Sequence, residues 1–316
     1  MTSPLRIAML GTGDFAVPTF ERLAASRHEV IALVTQPDKP QGRRGEIIPS
    51  RIKLAAEARG VPVEQPESIN APEGLELVKR LAPDLLVTAA YGQILSGDVL
   101  SVPPLGGINL HGSILPKYRG AAPVARAIQH GEAETGVTVI RMTPRVDAGG
   151  MLSFARTAIG PDETAGEVED RLALIGAPLV LEAIEALVAG TATILPQDAS
   201  AVTKAPKLKK DDGRIDWSQP AATIHNLVRA MQPWPVASTN WERAPGAAVR
   251  LIVHETRIDD AAGEPGLVIE AKGDRLVVAA GSGAVRLVRV QLEGKKAMGA
   301  EEFLRGYRAE GTRMRS

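Results

Sequence analysis

The chain contains no cysteine. That excludes disulfides, thiolate metal sites and a cysteine nucleophile, and it fits a reducing, cytoplasmic setting. Nor does any stretch approach the roughly 18 uninterrupted apolar residues of a membrane helix, so no membrane partner is expected. The first residues, Met1 to Met9, enter a strand-like run without the basic, apolar and small-residue layout of a secretion signal. Internal repeats and low-complexity tracts are missing as well. So is net charge: 37 Lys and Arg balance 37 Asp and Glu, which taken alone argues against a polyanionic partner. What is present is a chain of 316 residues, 44% hydrophobic and 23% charged, enough for two globular domains.

The zero charge hides an asymmetry. Residues 1–200 carry 18 Lys and Arg against 23 Asp and Glu, a net of −5, and residues 201–316 carry 19 against 14, a net of +5. Ordinary scatter can produce such a split, and a basic second half facing an anion can too.

Strand and helix patterns alternate through the first half. Ile7–Leu10, Val30–Val34 and Leu85–Thr88 are short apolar runs suited to buried strands. Gly107–Leu110 and Val137–Met142 continue the set. Ser50 can cap a helix reaching Arg59, and Pro72 can open one carrying Leu75, Val78 and Leu81. Thr164 and Glu167 make a capping-box pattern before a helix pair that ends near Gly190. The alternation implies an α/β fold, a doubly wound, mostly parallel, Rossmann-like sheet with helices on both faces.

Residues 196–213 are polar and aperiodic and carry Lys204, Lys207, Lys209 and Lys210. They form a linker between a domain at 1–195 and another at 214–316. After it, Ser218 opens a short helix with Ile224, Leu227, Val228 and Met231 on one face. Val249–Thr256, Gly266–Ala271, Leu276–Ala280 and Val285–Leu292 then alternate apolar and polar residues, the pattern of an antiparallel sheet or small OB-like β-barrel.

Gly11-Thr12-Gly13 follows a strand and precedes a helix, as in dinucleotide-binding turns. The acidic residue that would take the ribose hydroxyls is absent: Thr35, Gln36 and Pro37 follow the second strand, and Asp38 comes late. A tight first βα turn also wants glycine whatever the sheet binds. The segment at 107–150 is more informative. Asn109 and His111 are two residues apart, so on a strand they share a face, and the carboxyl end of a parallel strand is where such sheets hold ligands. With Asp147 they provide an amide donor for an oxyanion, an imidazole for a proton and a carboxylate to orient it, the set that acyl transfer to an amine requires. Histidine at a strand end is also a common packing residue, and His28, His130, His225 and His254 read as surface or packing positions. No metal site is expected, because His111 and Asp147 alone fall short of a ligand set.

The run Asn109–Pro123, with its Tyr118-Arg119-Gly120 sequel, together with Asp147-Ala148-Gly149 resembles the active-site segments of the 10-formyltetrahydrofolate-dependent formyltransferases. The resemblance implies that Asn109, His111 and Asp147 are catalytic and that 10-formyltetrahydrofolate is the formyl-donating co-substrate. It implies that Ser113, Ile114, Leu115 and Pro116 form a folate-binding turn, with Ile114 where the family usually has leucine. It also implies that the Tyr91–Leu95 loop, including Gln93 and Leu95, holds the pterin through its backbone. The segments Thr35–Ser50, Gly213–Trp217, Gln232–Pro235 and Gly294–Met298 resemble the branch that formylates initiator methionyl-tRNA, over about residues 5 to 305.

In that branch a loop enters the tRNA acceptor stem and a C-terminal barrel holds the tRNA. Arg43, Lys207, Lys209 and Lys210 are therefore expected to touch tRNA, and the protein is expected to act as a monomer. Arg43-Arg44-Gly45-Glu46 is less basic than the loop of many relatives. Pro233-Trp234-Pro235 fits a rigid packing corner better than a base-stacking platform. Rival readings are a formyltransferase for a purine precursor or an amino sugar, a formate-releasing hydrolase, a non-catalytic nucleic-acid binder and a nicotinamide dehydrogenase. The single small barrel and the lysine-rich linker favour tRNA.

Overall fold

The computed structural model describes residues 3–41, 46–244 and 246–316. Arg43, Arg44 and Gly45 lie outside the described residues, so the expected tRNA contact at Arg43 has no structural account. The chain falls into two compact units. The first comprises 1–123, 135–157 and 169–206, and the second 124–134, 158–168 and 207–316.

The first unit holds a seven-stranded sheet. Its strands are β1 (Arg6–Gly11), β2 (Glu29–Val34), β3 (Val63–Glu64), β4 (Leu85–Ala89), β5 (Gly107–His111), β6 (Glu134–Arg141) and β7 (Met151–Ala158), in the spatial order β7-β6-β5-β4-β1-β2-β3. Four neighbouring pairs from β5 to β3 run parallel, and β6 turns antiparallel against β5. The doubly wound, mostly parallel reading holds. The runs predicted as strands are buried on both faces: Ile7, Met9, Leu10, Leu33, Val34, Leu85, Leu86 and Val87 are all fully enclosed, which is why they lack alternation. β7 was not foreseen, because its alternating exposure at the sheet edge leaves no apolar run.

Local signals set the helix ends. The Ser50 hydroxyl accepts the Lys53 N–H at the start of Arg51–Ala58, a cap worth about 1 kcal/mol. Pro72 opens Pro72–Leu81 as its first residue, where the missing N–H costs nothing. Glu167 accepts the Thr164 N–H at 2.8 Å and Thr164 accepts the Glu167 N–H at 3.4 Å, completing the capping box. Those bonds hold the Glu167 carboxyl below its usual range.

The expected helix pair here is a single 25-residue helix, Ala165–Ala189, running straight through Pro178. Pro178 leaves the carbonyl of Leu174 without an intrahelical donor. Leu174 is on the exposed side, so water can take that carbonyl and the helix need not break. By length and composition this helix could cross a membrane. In the fold, Leu172, Ala173, Ala177, Val180 and Ile184 are buried as one stripe, and Gly176 lies against Leu110 of β5 so closely that a Cβ would come within 2.6 Å of it. The stripe is the lid of the sheet's core.

The second unit is built on an antiparallel sheet: β8 (Ala237–Glu242), β9 (Ala248–Asp259), β10 (Val268–Lys272), β11 (Arg275–Ala279), β12 (Ala284–Leu292) and β13 (Arg313–Arg315), ordered β10-β11-β12-β9-β8-β13. The sheet curls until its two ends meet. Met314 N–H donates to the Gly266 carbonyl at 2.7 Å, Val268 N–H to Thr312 and Gly311 N–H to Val268. These bonds join the two edges over 266–268 and 311–314, and the sheet is a curled half-barrel. Inside lie Trp241, Phe303, Leu251, Val253, Leu276 and Val290. Phe303 packs tilted against Trp241 and Tyr307 meets it edge-on, with ring centroids 5.1 and 5.8 Å away.

The short helix of this unit is Ala221–Ala230, so Ser218 does not open it. The Ser218 hydroxyl donates instead to Asp216, closing a turn one step upstream. His28 and His225 are packing residues as expected. His28 is buried beside Glu185, and His225 lies between Thr256 and the Pro161 carbonyl. The corner at 232–236 is held by Gln232, which bonds His254 and Gly166, and by the Val236 N–H on Met231. Trp234 is 55% exposed. Its ring does not supply the packing expected of it, because the backbone turn closes without it.

Candidate active site

β5 ends at the centre of the first unit's sheet and carries both predicted side chains. The Thr88 hydroxyl on the neighbouring β4 donates to Asn109 Oδ1 at 2.7 Å. In this arrangement Oδ1 is the end turned to Thr88. Nδ2, with two hydrogens, is the end left to donate to something else.

Two residues on, His111 is buried. Its Nε2 lies 2.9 Å from the Tyr118 carbonyl. A carbonyl can only accept, so Nε2 carries a hydrogen. Nδ1, the remaining ring nitrogen, faces Asp147 Oδ2 at 3.5 Å.

Asp147 itself sits at φ +48°, a left-handed conformation that costs a side-chain-bearing residue about 1–3 kcal/mol unless its surroundings enforce it. They do so here. Oδ2 accepts the Gly120 N–H at 2.9 Å, and the carbonyls of Asp147 and Gly149 both accept from Gln197. Gly149 presses on β6 so tightly that a Cβ would stand 1.7 Å from the Arg141 carbonyl oxygen. Two segments distant in sequence, β5 and the 147–150 loop, thus bring an amide donor, an imidazole and a carboxylate to one strand end.

The predicted folate turn is packed into the same end. The Ser113 hydroxyl donates to the Lys117 carbonyl at 2.7 Å, and Thr138 bridges the Ser113 carbonyl and the Leu115 N–H. Ser113 and Leu115 are buried, whereas Ile114 and Pro116 are partly open. The Ser113 and Leu115 side chains therefore shape the turn, and the tip of the Ile114 side chain lies over Gly136 of β6. Gln93 accepts the Ile69 N–H at 2.9 Å and donates to the Glu67 carbonyl at 3.1 Å. Leu95 is in the core beside Val99 and Tyr91. Both side chains brace the 91–95 loop. Lys207, Lys209 and Lys210 are exposed, and the Lys209 N–H donates to Asp212 Oδ2 at 3.0 Å.

The glycine turn at Gly11–Gly13 is occupied by its own protein. Thr12 Oγ1 lies 3.1 Å from the Tyr91 carbonyl, to which it donates, and accepts the Gln36 N–H at 3.1 Å. Asp38, the one acid near the second strand's end, is 2.5 Å from Lys53 Nζ. The Lys53 hydrogen bond holds its carboxyl below the usual range. It is committed to that pair and not available to ribose hydroxyls. Among the described residues no group of three or more His, Asp and Glu gathers as a metal site.

The family model described as Formyl transferase matches residues 5–184, and the one described as Formyl transferase, C-terminal domain, matches 207–308. The chain belongs to the formyl transferase family. Among curated relatives, this formyl transferase is 43% identical over 306 residues to a methionyl-tRNA formyltransferase of Geobacter metallireducens, covering 97% of each chain. It is 44% identical over 310 residues to the methionyl-tRNA formyltransferase of Methylococcus capsulatus, covering 98% of this chain and 99% of the relative.

Solved structures share the fold at lower identity. HypX from Aquifex aeolicus in complex with tetrahydrofolic acid superposes with a TM-score of 0.64 at 19% identity over 96% of this chain. This formyl transferase spans only 47% of that longer chain. The sugar 3N-formyl transferase WlaRD gives a TM-score of 0.66 at 16% identity, over 92% of this chain and 99% of its own.

Several residues at the site went unnoticed in the sequence. Thr88, Gln197 and Thr203 are ordinary polar residues in ordinary segments, and the Gly120 N–H and Tyr118 carbonyl are backbone groups that carry no side-chain signal. Gly149→Ala gives a direct check of the loop geometry. The added methyl must push the 147–150 loop off β6, and a displacement near 1 Å typically costs about 100-fold in rate. Formyl-transfer kinetics and a melting curve on the same sample should show that loss in kcat.

Proposed function

We propose that the chain transfers the formyl group of 10-formyltetrahydrofolate to the α-amino group of methionine on initiator methionyl-tRNA. The convergence of Asn109 Nδ2, His111 Nδ1 and Asp147 at the end of β5 carries this reading, and the full-length similarity to methionyl-tRNA formyltransferases supports the acceptor. The amine attacks the formyl carbon and forms a C–N bond, and the formyl oxygen becomes an oxyanion. Asn109 Nδ2 donates to that oxygen, since its Oδ1 is already held by Thr88. The new C–N bond is kept as the bond to the folate nitrogen breaks, and one proton moves from the attacking amine to that leaving nitrogen. His111 steadies the charge and assists this transfer at Nδ1, and Asp147 orients the ring.

In the proposed division of labour, residues 1–195 together with 196–206 bind folate and perform the chemistry. Residues 214–316 hold the tRNA, and 207–213 join the two. Ser113–Pro116 and the 91–95 loop contribute the folate surface, and Arg43 with the linker lysines contributes tRNA contacts. A formyl-transfer assay offering charged initiator tRNA, charged elongator tRNA and free amine acceptors side by side tests the whole reading. Transfer to initiator methionyl-tRNA is expected, and transfer only to a small amine refutes the acceptor assignment.

The lysines have their own test. Neutralising a phosphate contact lowers the slope of log affinity against log salt by a little under one unit. Replacing Lys207, Lys209 and Lys210 together by alanine should weaken tRNA binding and reduce that slope by about two to three units, with folate affinity unchanged. An unaltered slope in a filter-binding titration removes these residues from the tRNA interface.

A further inference from the structure

The side chain of Gln197 uses every hydrogen-bonding position it has. Nε2 donates one hydrogen to the Asp147 carbonyl at 2.8 Å and the other to the Gly149 carbonyl at 2.7 Å. Oε1 accepts from both Nε and a terminal nitrogen of Arg119, at 3.0 and 2.7 Å. An amide has two donors and two acceptor sites, so none is left over. Gln197 comes from the polar stretch after the first half of the chain, yet it joins the two loops that flank His111. One is 118–120, whose Tyr118 carbonyl binds Nε2 and whose Gly120 N–H binds Asp147. The other is 147–149, which supplies the carboxylate facing Nδ1.

We propose that Gln197 is a positioning residue for formyl transfer: it clamps the Asp147 loop to Arg119 and so fixes the carboxylate against His111. This rests on the roles given above to His111 and Asp147. The observation behind it is chemical as well as spatial. Two converging carbonyls need two donors, and a guanidinium edge needs an acceptor on the same side chain. Glutamine satisfies all three. Glutamate of equal size keeps the Arg119 pair but offers no donor when ionised, and leucine keeps the volume alone. Without the clamp, nothing else among the described residues binds the Asp147 carbonyl, and the strained φ of +48° can relax by turning the carboxylate away.

The test compares wild type with Gln197→Glu and Gln197→Leu in two assays. In formyl transfer, both variants should lose about 10- to 100-fold in kcat, the range expected for misplacing a catalytic group by an ångström or less. KM for both substrates should stay within about threefold, and the pH profile of kcat should be displaced, a change that general loosening of the fold does not produce. In the second assay the His111 ring is observed by NMR in labelled protein without substrates. The chain has 5 histidines, and the His111 signal is the one lost in His111→Ala. Its ring signals should shift in both variants, because Asp147, the carboxylate facing Nδ1, is no longer fixed.

If Gln197→Leu does not fold, Gln197→Glu decides. A Gln197→Glu protein with wild-type kcat, wild-type pH profile and unmoved His111 ring signals overturns the proposal. So does a loss confined to KM. Wild-type protein that fails to transfer formyl groups counts against the functional reading, and the NMR comparison still decides whether Gln197 fixes Asp147.

Discussion

Asn109→Ala should lower kcat for formyl transfer by about 100- to 1,000-fold, the usual cost of removing one oxyanion donor from a water-excluded site. Folate binding should survive, because the folate turn at 113–116 is held by Ser113, Thr138 and Lys117 and not by Asn109. Steady-state kinetics with a parallel folate-binding titration separates the two quantities. Asn109→Asp sharpens the case. A carboxylate still accepts the Thr88 hydroxyl but has no hydrogen to give, so it should be no better than alanine. Full activity in either variant would remove Asn109 from the chemistry.

Asp147→Asn should be at least as damaging, by roughly 10³- to 10⁴-fold, the scale seen when an amide replaces a histidine-orienting carboxylate. The reason is charge. The Nε2 hydrogen is already committed to the Tyr118 carbonyl. Oδ2 both accepts the Gly120 N–H and faces Nδ1, so an asparagine that keeps the Gly120 bond shows Nδ1 an uncharged oxygen, and a proton taken up at Nδ1 loses its counter-charge. Asp147→Asn keeps the acceptor for the Gly120 N–H, so the loop stays folded and the loss should fall on kcat. A variant that melts like wild type and turns over at more than about a tenth of its rate would show that the carboxylate charge is dispensable.

The two variants probe residues that differed in how visible they were. Asn109 and His111 could be paired from the sequence, since a strand makes i and i+2 neighbours, and their strand announced itself as an apolar run. Asp147 was tied to them by resemblance and not by geometry. It lies 36 residues beyond His111 on a loop, and only the antiparallel turn from β6 to β7 returns it. That turn was hidden, because β7 is an edge strand with alternating exposure. The helix pair misread at 165–189 failed for a related reason. Pro178 is a strong breaker signal locally, and the tertiary burial of Leu172, Ala177, Val180 and Ile184 overrode it. The barrel strands were legible because one face is wet and the other dry, whereas their closure depends on backbone bonds between 266–268 and 311–314 that no side-chain pattern encodes.

The stretch 196–206 was classed from composition as a tether, and it is woven into the active centre. Lys204–Ala205 pairs with Arg119–Gly120 as a two-stranded ribbon. Thr203 takes the Tyr118 N–H on its hydroxyl and the Arg119 N–H on its carbonyl, and the Ala205 carbonyl takes the Ala122 N–H. On its C-terminal side the first unit therefore ends between Pro206 and Lys207, with 124–134 and 158–168 belonging to the second unit, and a catalytic fragment ended at 195 would be cut inside its own working parts. Modularity in this chain is offset from composition. The sequence that looks like spacer travels with the chemistry, and a graft that exchanges the barrel must leave those eleven residues behind.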